Sequence, residues 1–156
     1  MKTKKGVLAI CILIPLAVGA LSSLLTKDSM AEFELLNKPL LSPPGWLFPV
    51  VWTILFVLMG IASYLIYRQG TEDPQVRQAL VIYGIQLLFN FFWPIFFFRF
   101  GWYLFSFFWL VILWVLILVM ISKFRKIDET AAKLLVPYLL WVTFAAYLNF
   151  GVFLMN

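Results

Sequence analysis

The sequence predicts an all-α membrane protein, a single domain folded as a bundle of five transmembrane helices. Three observations carry that expectation. The 156 residues are 64% hydrophobic and only 12% charged, with a mean hydropathy of +1.00, more apolar surface than a water-soluble chain of this size can hide. Five stretches reach the roughly 20 apolar residues that a helix needs to cross a bilayer. None of the five contains an Asp, Glu, Lys or Arg. Because backbone groups in hydrocarbon must be paired within their own segment, such stretches are helices, and a barrel would show short alternating strands instead.

The first span is read as Val7 to Leu25. It follows Lys2, Lys4 and Lys5, and with Ala20-Leu21-Ser22 it also fits a cleavable secretory signal. Its length, with Pro15, Gly19 and Ser23, favours a retained helix that packs closely on its neighbours. A long loop from Thr26 to Trp46 follows, ending in the stiff Ser42-Pro43-Pro44-Gly45. It reads either as a lid over the mouth of the bundle or as a solvated connector. The second span is Leu47 to Tyr67 and the third Ala79 to Phe98. Only Arg99, Phe100 and Gly101 separate the third from the fourth, Trp102 to Ser122, so these two must form a tight antiparallel hairpin. The fifth runs from Leu134 to Met155. Pro15 and Pro94 fall inside spans and predict local kinks.

The net charge of +5 is divided unevenly among the loops. Nine Lys and Arg lie on the amino-terminal side: Lys2, Lys4, Lys5, Arg68, Arg77, Lys123, Arg125, Lys126 and Lys133. Lys27, Lys38 and Arg99 lie on the other. The positive-inside rule therefore places the amino terminus in the cytoplasm. Basic residues beside apolar spans meet lipid head groups, so the expected partner is a bilayer and not nucleic acid.

Several chemistries are excluded. There is no histidine and a single cysteine, Cys11. No disulfide can form within the chain, and the usual zinc sites, histidine-based triads and proximal histidine of haem proteins cannot be built. No metal or cofactor is expected. All seven carboxylates lie in loops, which disfavours a proton-coupled transporter relying on buried acids.

Inside the spans the informative residues are polar or aromatic ones at helical spacing. Tyr83, Gln86, Asn90, Trp93 and Phe97 form one stripe on the third helix. Pro49, Trp52, Phe56 and Ser63 do so on the second, and Tyr138, Trp141, Ala145 and Asn149 on the fifth. Flat rings with scattered hydrogen-bonding groups suit a large planar apolar ligand. The same stripes also fit plain interhelical bonding and core packing. Trp46 and Trp102, at span ends, fit the aromatic belt at the membrane surface.

Three separated motifs carry a resemblance. Asn37-Lys38-Pro39 followed by Pro43-Pro44-Gly45-Trp46-Leu47-Phe48-Pro49-Val50-Val51-Trp52, then Gln86-Leu87-Leu88-Phe89-Asn90-Phe91-Phe92-Trp93, and finally the run from Leu135 to Asn149, resemble the signatures of the TspO/MBR family of tryptophan-rich sensory and translocator proteins. The resemblance implies a five-helix bundle, often a homodimer, with a pocket under the first loop that takes porphyrins, benzodiazepine-type drugs and, in animal members, cholesterol. Carried over, the pocket uses Trp52, Asn90, Trp141 and Ala145, with Gln86, Trp93, Tyr138 and Asn149 beside them and Phe33 and Pro44 in the lid. Two departures stand out. Glu32 and Phe33 occupy the places of a frequent Trp-Tyr pair, and no Lys or Arg follows Tyr138 or Tyr147 to complete the cholesterol motif. Leu58, Tyr64 and Arg68 fit only a loose sterol pattern.

The expected function is binding and sensing of porphyrins such as protoporphyrin IX and of other planar hydrophobic ligands, in a bacterial plasma membrane. One alternative is a light-dependent porphyrin-degrading enzyme in which Trp52 and Trp141 take part in the oxidation. A passive tetrapyrrole or sterol transporter is the other.

Overall fold

The computed structural model describes residues 4–156, among which every regular element is helical, with five stretches long and apolar enough to cross a membrane. The protein is a multi-pass integral membrane protein. Helix α1 covers Lys5–Thr26, followed by a single 3₁₀ turn and the short α2, Met30–Glu34. The other spans are α3, Leu47–Tyr67, then α4, Pro74–Pro94, α5, Tyr103–Arg125, and α7, Val136–Met155, which is preceded by the short α6, Glu129–Leu134. Lys2, part of the basic count at the amino terminus, lies outside the described residues.

Two boundaries differ from the hydropathy reading for a definable reason. The third span begins at Pro74 and not at Ala79, because the Asp73 carboxylate accepts from the Gln75 N–H at 2.9 Å and Pro74 needs no N–H partner in the first turn. A count of apolar residues stops at Arg77 and misses this cap. Asp128 likewise accepts from Ala131 N–H at 3.1 Å and starts α6 ahead of the fifth span. At Pro94 the chain passes into a π turn, Ile95–Arg99, the local form taken by the expected kink. Gly101, at φ +67°, then reverses the chain into α5, so α4 and α5 form the tight hairpin.

In the bundle α1 lies along α3, α4 packs on α1 and on α5, and α5 packs on α7. A methyl group at Gly60 would meet the backbone of α1, with Cys11 O at 2.7 Å. Its absence is what lets these helices touch. Helices α3 and α7 meet chiefly through aromatic rings, with Trp52, Phe48 and Trp141 holding the backbones apart.

The loops sort to two ends. Lys4 N–H donates to Tyr64 Oη at 2.8 Å, and Arg68 approaches Asp128 at 4.0 Å, so the amino terminus and the basic α3–α4 and α5–α6 connections share one end. Tyr64 is buried there, so Leu58, Tyr64 and Arg68 present no tyrosine to lipid. At the other end the first loop meets the carboxyl terminus: Asn37 N–H donates to Asn156 Oδ1 at 3.1 Å, and Asn156 Nδ2 returns a bond to Asn37 O at 2.8 Å. Tyr147 Oη donates to Leu40 O at 2.7 Å. The loop is therefore an ordered lid clamped to α7.

Candidate functional site

The predicted stripe on the third span is real: Tyr83, Gln86, Asn90, Trp93 and Phe97 are all buried. Tyr138 joins it from α7. Its hydroxyl donates to Gln86 Oε1 at 2.7 Å and accepts from Asn90 Nδ2 at 2.7 Å, while Gln86 Nε2 points to Met59 Sδ at 3.9 Å. Asn149 makes a second node. Its Oδ1 accepts from Trp93 Nε1 at 2.9 Å and Ser106 Oγ at 3.1 Å, and its Nδ2 donates to Tyr103 O at 2.8 Å. The amide groups are largely engaged by Tyr138, Trp93, Ser106 and the Tyr103 carbonyl, and these bonds tie α4, α5 and α7 together. Ser106 was not among the expected residues, because almost every position of the fourth span is apolar and no stripe stands out there.

Above these nodes the rings form a continuous wall. Trp93 stacks on Phe97 at 5.3 Å between centroids, Phe97 and Phe98 meet Phe33 of the lid at 5.8 and 5.0 Å, and Phe33 meets Phe48 at 6.2 Å. Phe48 leads to Trp141 at 5.9 Å, and Trp141 to Trp52 at 6.5 Å. Trp52 then reaches Tyr138 at 6.2 Å. The Trp141 indole N–H is buried with no hydrogen-bond partner. Ala145 and Asn149 lie among the residues lining the space beneath Phe33.

Nine of the ten expected residues are thus brought to the lid end and middle of the bundle. Pro44 is the exception, being exposed on the lid. Of the nine, Phe33, Trp93, Ala145 and Asn149 line the space beneath the lid, with Ser42 beside them, whereas Trp52, Gln86, Asn90, Tyr138 and Trp141 do not. This space is about 20 Å³, close to one water, against the several hundred Å³ of a site for a sizeable ligand. Phe33, packed edge to face on Phe48, Phe97 and Phe98, forms part of its wall. Outside Phe33 a second cavity of about 90 Å³ shares Phe33, Phe97 and Phe98 with the inner one and adds Glu32, Arg99 and Tyr103. On the lipid side of the α3–α7 seam, Val51, Ile54, Leu140, Trp141 and Phe144 border an open apolar groove of about 400 Å³.

A bundle of five apolar helices with aromatic rings packed beneath its first loop defines a multi-pass helical membrane protein. The particular kind follows from comparison: residues 11–155 match the TspO/MBR family model, and the chain belongs to that family. It is similar to the "Tryptophan-rich protein TspO" of Chlorobaculum tepidum, 41% identical over 150 residues, covering 96% of this chain and 95% of that one. It is also similar to the "Tryptophan-rich sensory protein" of Cereibacter sphaeroides, 34% identical over 80% of this chain and 76% of the relative. The "Translocator protein" of Ovis aries is 34% identical over 74% and 69%, respectively.

Proposed function

We propose that this protein binds and senses porphyrins, protoporphyrin IX in particular, and related planar hydrophobic molecules in the chamber beneath its lid. The observation that carries this reading is the unbroken wall of rings from Trp93 through Phe33 and Phe48 to Trp141 and Trp52. A flat ligand gains by replacing ring-to-ring contacts with its own stacked faces. The amides are engaged by Tyr138, Trp93, Ser106 and the Tyr103 carbonyl, so most of the affinity comes from aromatic surface. The buried Trp141 N–H supplies an open donor.

A protoporphyrin IX titration of the detergent-purified chain in the dark, followed by tryptophan fluorescence, tests this. Saturable quenching is expected, weakened roughly 3- to 10-fold in Trp52→Phe and Trp141→Phe, as the loss of one aromatic contact of about 0.5–1.5 kcal/mol dictates. Linear quenching, or equal affinity in all three proteins, sinks the assignment. Illumination of the complex separates a binder from a degrading enzyme, since only the enzyme bleaches the porphyrin in a manner that depends on Trp52 or Trp141.

A further inference from the structure

The geometry points to a carboxylate-recognition subsite at the mouth of the chamber, in which Arg99, assisted by Lys38, holds the acid group of an amphiphilic ligand whose flat body lies inside. This deepens the proposed function and rests on it. Phe33 is the partition between two cavities of opposite character. The inner one is apolar, while the outer one has Glu32, Arg99 and Tyr103 on its walls. Because both share Phe33, Phe97 and Phe98, a ligand that displaces Phe33 merges them into one space with an aromatic interior and a polar mouth.

Two cations border that partition. Lys38 Nζ sits 5.0 Å from the centre of the Phe33 ring, donating to Glu34 O and Leu36 O. Arg99 uses a long 3.4 Å bond to Leu25 O, leaving most of its five N–H donors open. Among the described residues the one ion pair, Arg68 with Asp128, lies at the opposite end of the bundle. Neither Arg99 nor Lys38 is therefore neutralised by a paired carboxylate. A guanidinium on a cavity wall, with its fork free, is matched by a carboxylate that binds through two parallel bonds. Glu32 in the same cavity opposes such a ligand by like charge and so tunes the selection.

Protoporphyrin IX and its dimethyl ester share a ring and differ in their two acid groups, so the pair reads the subsite separately from the chamber. Both are titrated in the dark into the full-length wild type, Arg99→Gln, Arg99→Lys and Glu32→Gln. Wild type is expected to bind the acid about tenfold more tightly than the ester, the scale of one charge-assisted hydrogen-bonded pair. Arg99→Gln removes that preference with ester affinity unchanged, Arg99→Lys restores part of it, and Glu32→Gln strengthens the acid alone. Equal binding of acid and ester by wild type, or equal weakening of both by Arg99→Gln, overturns the subsite while leaving the aromatic chamber intact. Absence of saturable binding by either compound overturns the porphyrin reading and this inference with it.

Discussion

Tyr138 is fully buried among apolar helices, yet its single hydroxyl serves two side chains of α4, Gln86 and Asn90. Removing it strands an acceptor and a donor where no water replaces them, and that asymmetry decides the cost. Interhelical bonds in membranes average about 0.6 kcal/mol and reach about 1.7, so Tyr138→Phe is expected to destabilise the bundle by roughly 1–2 kcal/mol, read from reversible unfolding in mixed detergent. Gln86→Leu made in the same chain removes one stranded acceptor, so the double variant should lose less than the sum of the two single losses. Strict additivity would show that these residues do not act as one node. The polar groups among these helices were visible in the sequence while their roles were not. Gln86, Asn90 and Asn149 stand out because amides in hydrocarbon are rare. That Asn149 serves Trp93 and Ser106 depends on how α7 rotates against α4 and α5, which periodicity within one helix does not encode.

At the scale of elements, α1 and α3 are joined by close backbone approach and the lid is joined to α7 by a few polar bonds. The first is unforgiving. A side chain at Gly60 runs into Cys11 O at 2.7 Å and Ile12 N at 3.0 Å, groups of a helix backbone that cannot swing aside. Gly60→Val is expected to lower stability by about 1–3 kcal/mol through overpacking, measured by the same unfolding assay, whereas Gly84→Ala, with open space at its Cβ, should be silent. The second junction is lighter. Tyr147→Phe combined with Asn156→Ala removes the bonds to Leu40 and Asn37, and amide hydrogen exchange across residues 30–41 should rise with the spans unchanged. A lid as protected as in wild type would show that the docking of Pro39 on Gly151, and not the polar clamp, holds it. Five spans were legible because hydropathy is a property of each segment alone. The early start of α4 at its Asp73 cap and the clamp between residues 37 and 156, far apart in the chain, were not, since the first lies outside the apolar run and the second exists only after folding.

For the molecule as a whole, the inner space of about 20 Å³ constrains the proposed porphyrin binding. A tetrapyrrole needs a chamber more than ten times larger, so for the proposed ligand to fit, Phe33 would have to leave its place against Phe48, Phe97 and Phe98. Those three edge contacts, with Lys38 above the ring, oppose opening by on the order of 0.5–1.5 kcal/mol apiece. If opening precedes binding, the observed association rate rises with protoporphyrin concentration and then levels off at the opening rate. Phe33→Ala removes the ring contacts that add to the lid's other attachments, so that plateau should rise by about tenfold or more in stopped-flow quenching. The same substitution takes a ring from above the bound ligand, so dissociation should quicken as well, and the equilibrium constant should move much less than either rate. A plateau unchanged by Phe33→Ala would mean that the ligand enters elsewhere, and the apolar groove between α3 and α7, which has Trp141 as its inner wall, would then be the path to block with a bulky side chain at Leu140.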